Sequence, residues 1–186
     1  YTLYRGLPVL FVRAQVNWQG KRQALKLRFA MPHHYGHVTA QGPFGFTDRP
    51  LNGEEFPMHA WVDLSGSPPG KTNRTSGLAL LNDGKYSYDV HDRAIHLTAL
   101  RSPYYAHHEP FIVEIGQAFP VIDQGWQSFT YALAPHDGVA ADAPVDRWAS
   151  LLNAPPELLP ESFHQGPWPM ARSFVCVQGE GVALDA

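Results

Sequence analysis

From Leu10 to Trp18 the chain alternates. Leu10, Val12, Ala14, Val16 and Trp18 fall on one parity and Arg13, Gln15 and Asn17 on the other, with Phe11 the one apolar residue out of step. Strand side chains project to opposite faces in turn, so a period of two fits a half-buried β-strand and does not fit a helix. After Gln19-Gly20-Lys21 the period resumes at Leu25, Leu27 and Phe29 against Lys26 and Arg28. Two such runs across a short glycine-containing turn read as a β-hairpin. Further strands are expected at residues 38–41, 59–64, 77–81, 85–90, 95–100, 127–133 and 173–177, with turn signals such as Gln41-Gly42-Pro43 and Ser67-Pro68-Pro69-Gly70 between them. Asn82-Asp83-Gly84, between residues 78–81 and 86–90, is the sharpest short hairpin signal in the chain. About ten short punctuated strands predict an all-β fold, a sandwich or a barrel.

One helix is expected, at residues 145–153. Val145, Trp148, Leu151 and Leu152 are spaced for one apolar face, Asp142 is placed to cap the start, and Pro155-Pro156 stops the end. Residues 155–169 hold five prolines and read as a surface excursion or linker. Residues 181–186 resume strand alternation and then stop, and Tyr1 is not an initiator Met. The expectation is a single domain, residues 1–186, cut from a longer polypeptide.

Charge removes several function classes. Fourteen basic against seventeen acidic residues give a net charge of −3, and no basic block occurs. Recruitment to nucleic acid or an anionic membrane by bulk electrostatics is therefore not expected. No run of 18 apolar residues marks a membrane-spanning helix. A single cysteine, Cys176, forms no intrachain disulfide, and the apolar alternation over 174–177 predicts a buried, inert thiol. One cysteine and one formal glycosylation acceptor, Asn73-Arg74-Thr75, point toward a bacterial cytosol.

Catalytic patterns are thin. His33, His34 and His37 lie close together and His107-His108-Glu109 forms a second group, but Pro32 and Gly36 break any helix that would present a metal-binding pair. Ordinary surface and loop histidines are the expectation. No Gly-x-Ser-x-Gly elbow and no glycine-rich phosphate cradle occur. Trp126, Trp168 and the tyrosines around Tyr104 offer flat rings for sugar stacking, although core or loop packing is the commoner use of such rings. The residues taken alone describe a β domain without a self-contained active site.

Longer strings carry more. Residues 76–90, SGLALLNDGKYSYDV, resemble the GLALLND-KYGYDV signature of glycoside hydrolase family 38, the α-mannosidases. Residues 97–103, Leu-Thr-Ala-Leu-Arg-Ser-Pro, are similar to its L-LLRSP string. Asp123-Gln124-Gly125 and residues 129–136 resemble DQG followed by FTYAL-PH. Upstream, Val16-Asn17-Trp18 with residues 25–29, residues 44–50 and residues 59–65 (His-Ala-Trp-Val-Asp-Leu-Ser) match further family strings in the same order. Two departures stand out. Ser87 replaces a glycine of the pattern, and residues 104–122 replace a shorter acidic link.

The resemblance implies a particular place in a larger enzyme. Family members carry a barrel-like catalytic domain, a helical bundle and C-terminal β-sandwiches, and the matching strings belong to the large sandwich, an antiparallel supersandwich similar to galactose mutarotase. The family hydrolyses α-mannosides with an Asp nucleophile and a zinc ion held partly by a His-x-Asp motif. This chain has no His-x-Asp. The resemblance therefore implies no catalytic residue, no metal ligand and no cofactor within the chain, with zinc in a catalytic domain elsewhere in the same polypeptide. The implied partners are that catalytic domain and a mannose-containing carbohydrate. Candidates for a sugar cleft or a domain interface are Asn82, Asp83, Lys85 and Tyr86 at the 82–86 turn, Arg101 at a strand end, and His136 before Asp137-Gly138. The alternative is a stand-alone carbohydrate-binding or mutarotase-like module.

Overall fold

Two antiparallel sheets stack face to face because most of their strands have one parity that must leave water. The computed structural model describes residues 1–31, 34–67, 69–70, 73–105, 119–162, 165–179 and 182, with the backbone alone at 34 and 35. Its strands are β1 (Thr2–Leu3), β2 (Leu10–Trp18), β3 (Ala24–Ala30), β4 (His34–Gly42), β5 (Gly45–Arg49), β6 (Phe56–Pro57), β7 (Trp61–Ser67), β8 (Ser76–Asn82), β9 (Ser87–His91), β10 (Ala94–Arg101) and β11 (Gly125–Asp137). One sheet has the order β1-β2-β11-β8-β7-β4-β5 and the other β3-β10-β9-β6. The strand pairings among the described residues run antiparallel, and the fold is the expected all-β sandwich.

The core lies between the sheets. Val38, Ala40, Val62, Leu64 and Leu80 of the larger sheet meet Tyr88, Val90, Ile95 and Leu97 of the smaller. The opposite face of the larger sheet carries a second cluster, in which Trp61, Ala79, Leu81, Ala132 and Ala134 are covered by Val145, Trp148 and Ala149. Those three belong to the one α-helix, α1 (Val145–Asn153), which has the predicted bounds. Strands β7 and β8 thus bury both faces, which explains why 77–81 is apolar at nearly every position.

Four expectations are corrected. The runs at 10–18 and 25–29 do not form a hairpin, because β2 pairs with β1 and β11 while β3 pairs with β10 in the other sheet. Asn82-Asp83-Gly84 is likewise no hairpin: β8 pairs with β7 and β11, β9 with β10 and β6. Both turns are corners that carry the chain from one sheet to the other. A buried parity states that a strand has a cover, and not whether its sequence neighbour supplies that cover through hydrogen bonds or through face packing. Two-residue hairpins lie elsewhere, at Pro43-Phe44, where Gly42 pairs with Gly45, and at Asp92-Arg93, where His91 pairs with Ala94 and both turn residues have positive φ, 48° and 57°. The positive φ at both Asp92 and Arg93 is the backbone of a type I′ turn, usually filled by Asn-Gly.

The third correction concerns Asp142. It does not cap α1, which begins behind Pro144; its Oδ2 accepts the Val139 N–H at 3.1 Å and closes a 3-10 turn over Ala140–Asp142. The fourth concerns residues 173–177, which form no strand. The chain divides into compact units Tyr1–Pro156 and Glu157–Ala186, and the described residues of the second have neither helix nor strand. Five alternating residues make a strand only beside a partner, and there Phe174 and Val175 are exposed, as is the thiol of Cys176, against the buried thiol expected. In that unit the Arg172 guanidinium lies 3.3 Å above the Trp168 ring.

Candidate functional site

The turn after β8 is built around one buried amide. Asn82 is fully buried, and its Oδ1 accepts the N–H groups of Gly84 and Lys85 at 3.1 and 2.8 Å. Its Nδ2 donates to the His59 carbonyl at 2.8 Å. Asparagine suits the position because one side chain supplies both an acceptor and a donor. Asp83 points outward and takes the Thr130 N–H on both carboxylate oxygens at 2.9 Å. Asn153, the last residue of α1, donates to the Asn82 carbonyl at 3.0 Å and so ties the helix to the same corner. The other end of α1 is anchored by Asp146, whose Oδ1 accepts from Trp61 Nε1 at 2.6 Å and Gln41 Nε2 at 3.0 Å.

The corner between β2 and β3 follows the same rule. Trp18 Nε1 donates to Ser102 Oγ, and the backbone of Ser102 brackets the turn through Arg22 N to Ser102 O (2.8 Å) and Ser102 N to Gln23 O (2.9 Å). Gln124 Nε2 donates to the Gly20 carbonyl at 2.8 Å. A Cβ on Gly20 would stand 2.4 Å from the Trp18 ring, so only glycine lets the indole lie across the turn. Arg101 sits beside this corner, where Arg22, Gln23, Ala24, Ser102, Pro103 and Tyr104 complete the lining of a cavity of about 430 Å³. Arg22 Nη1 donates to the Tyr104 hydroxyl at 3.2 Å.

His136 is elsewhere again. It crosses β8 at Gly77, five residues and about 17 Å along the strand from Asn82. Its side chain is 4% exposed, and its Nε2 lies 2.8 Å from Oδ1 of the wholly buried Asp63 on β7. A Cβ on Gly77 would be 2.4 Å from His136 Cε1 and 3.0 Å from Asp63 Oδ1. The ring thus uses the missing side chain as its passage to Asp63. Burial by itself lowers the imidazole pKa; the Asp63 hydrogen bond and charge, the Asp137 carbonyl and the Asp142 charge outweigh it and leave His136 above its ordinary value.

The structure therefore divides the predicted residues into three places. Asn82, Asp83, Lys85 and Tyr86 share one corner, Arg101 borders another, and His136 lies on the outward face of the larger sheet. Asn82, Asp83 and His136 are spent on internal bonds. Tyr86 is 60% exposed, and Lys85 sets its ammonium 5.0 Å above the Phe129 ring. Asp63 and Gly77 escaped the sequence reading as functional positions, although both lie inside matching strings. Of the histidine groups weighed for metal binding, His37 pairs with Asp48 at 2.9 Å, and His33 and His107-His108-Glu109 lie outside the described residues.

An antiparallel two-sheet domain whose corners are locked by side-chain amides defines the class. The family model described as the glycosyl hydrolases family 38 C-terminal domain matches residues 1–109. The chain belongs to that family. Alpha-mannosidase 2C1 of Homo sapiens is 31% identical over 163 residues, which cover 83% of this chain and 14% of that protein. Alpha-mannosidase G of Dictyostelium discoideum is 29% identical over 146 residues, 74% of this chain and 12% of that protein. Among solved structures, a glycosyl hydrolase family 38 protein from Enterococcus faecalis superposes with a TM-score of 0.58 at 22% identity, over 80% of this chain and 16% of that one. The chain thus spans about one seventh of the first of these relatives.

Proposed function

We propose that this chain is a non-catalytic β-domain of an α-mannosidase-type glycoside hydrolase. It braces the catalytic domain of the same polypeptide and lines part of a cleft for mannose-containing carbohydrate. One observation carries the reading: the motif residues Trp18, Asn82, Ser102, Gln124 and His136 are bound within the chain, where they fix the sheet corners and the outward sheet face. A frame held that firmly suits a support, and the relatives named above are alpha-mannosidases. Lys85, Tyr86 and Arg101 are the side chains left to meet the catalytic domain or the sugar. Zinc and the carboxylate nucleophile are assigned to the catalytic domain and to no residue here. The exposed lone thiol of Cys176 accords with a reducing compartment such as a bacterial cytosol.

The test is direct. The 186-residue chain should release no nitrophenol from an aryl α-mannoside with zinc added, and the parent polypeptide should release it; turnover by the chain alone would sink the reading. The cavity beside Arg101 favours a second reading, a domain that binds sugar by itself. Calorimetry with mannose separates the two. Heat that disappears in Arg101→Ala supports the binding module, and no heat supports the brace.

A further inference from the structure

The outward face of the four-stranded sheet is polar, and its centre brings two imidazoles to one carboxylate. The register places Asp89 of β9 directly opposite His96 of β10. His91 stands two residues beyond Asp89 and so projects to the same face. Asp89 Oδ1 lies 2.6 Å from His91 Nδ1 and 3.1 Å from His96 Nδ1. The two rings stack, with centroids 4.0 Å apart and planes 17° from parallel. One ligand atom from each residue falls within 4.8 Å of the other two.

Two further details suit these groups to a shared cation. His96 is 7% exposed, and its buried Nδ1 makes no well-formed hydrogen bond, having only the 3.1 Å ion-pair approach to Asp89 Oδ1, which His91 already engages more closely. A buried ring nitrogen in that condition is rare and calls for a partner. The carboxylate is also held from behind. Lys26 Nζ contacts Asp89 Oδ2, and Lys26 is itself paired with Glu55 at 3.1 Å. Ser87 and Thr98 hydroxyls donate to Glu55. Such outer contacts orient ligands in known metal sites.

We propose that Asp89, His91 and His96 form a site for a divalent transition-metal ion of the Zn²⁺ or Ni²⁺ class. Two imidazole nitrogens and one carboxylate oxygen are the donor set these borderline ions take, and the remaining positions go to water. Bonds of about 2.0–2.2 Å would place neighbouring ligand atoms about 3.0–3.5 Å apart. His96 and Asp89 already stand at 3.1 Å, whereas the exposed His91 ring must open its 2.6 Å contact and turn out of the stack so that its in-plane lone pair meets the ion. The ion replaces the proton that His91 shares with Asp89. His91, with a side chain 49% exposed, gives access from solvent. Lys26 opposes the added charge and keeps the ion exchangeable.

Calorimetric titration of the 186-residue chain with Zn²⁺ and with Ni²⁺ tests this. His91→Ala, at an exposed position that leaves the sheet folded, should weaken the strongest binding event at least tenfold. His96→Ala should do the same, while Lys26→Met should tighten it several-fold by removing the opposing ammonium. His37→Ala, a histidine outside the cluster, should change nothing. Absence of a bound ion in the unaltered chain, or equal binding in His91→Ala, overturns the proposal. So does loss of binding in His37→Ala alone.

Discussion

Gly77 shows how one absent methyl group places a titrating pair. The His136 ring occupies the space a Cβ would fill and reaches Asp63 across β8. Gly77→Ala is therefore expected to destabilise the domain by about 1–3 kcal/mol, the range for overpacking in a close-packed interior. In a His136→Ala background the same substitution should cost much less, and urea unfolding of the four proteins of that cycle checks the coupling. The pair also sets a pH dependence. The folded pKa of His136 lies above its ordinary value of 6.5, so its stabilisation is complete below pH 6.5 and is lost as pH climbs through the folded value. Unfolding midpoints should fall over that range in the natural chain and fall less in His136→Gln. Composition and spacing could not show this pairing. Asp63 and His136 are 73 residues apart, and only the strand order β11-β8-β7 brings them together.

At the scale of elements, strand positions were legible and strand partners were not. Period-two patterning located β2 and β3 to within a residue or so, because each hides one parity, while β8 and β10, buried at most positions, were legible as short apolar runs between turn signals. The same patterning is silent on whether a turn returns the chain along its own sheet or sends it to the opposite one. The corner chemistry decides that, and at 82–84 it is Asn82 that matters. Asn82→Ala would leave the His59 carbonyl and two backbone N–H groups without their partner. A loss of about 3 kcal/mol is expected, against about 1 kcal/mol for the exposed Asp83→Ala. Thermal unfolding of the two variants checks the order. On the smaller sheet, Glu55 has its pKa drawn down to about 2, chiefly by the Ser87 and Thr98 hydroxyls and then by Lys26. A depressed carboxylate stabilises above its unfolded pKa, near 4.5, and loses that contribution as pH falls toward 2. Acid titration of stability should accordingly be flatter over that interval in Glu55→Gln.

At the scale of the whole first unit, the question is whether two cores make two folding units or one. The inter-sheet core and the cluster under α1 share β7 and β8, whose successive residues face opposite ways: Leu80 enters the first and Leu81 the second. A strand cannot leave one cluster without exposing the other, so the two should melt together. Trp148→Ala tests this, because the indole lies in the outer cluster and touches the inter-sheet core only through the strands beneath it. Its loss should cost about 3–5 kcal/mol. Far-ultraviolet circular dichroism and tryptophan fluorescence should nevertheless report one coincident, lower transition. A helix transition separated from the sheet transition would show that α1 is an attachment. Strand punctuation and the family likeness foretold the sandwich, and the apolar spacing over 145–153 foretold its helix. But this coupling follows from β7 and β8 being buried on both sides, and that is visible only once the strand order is known.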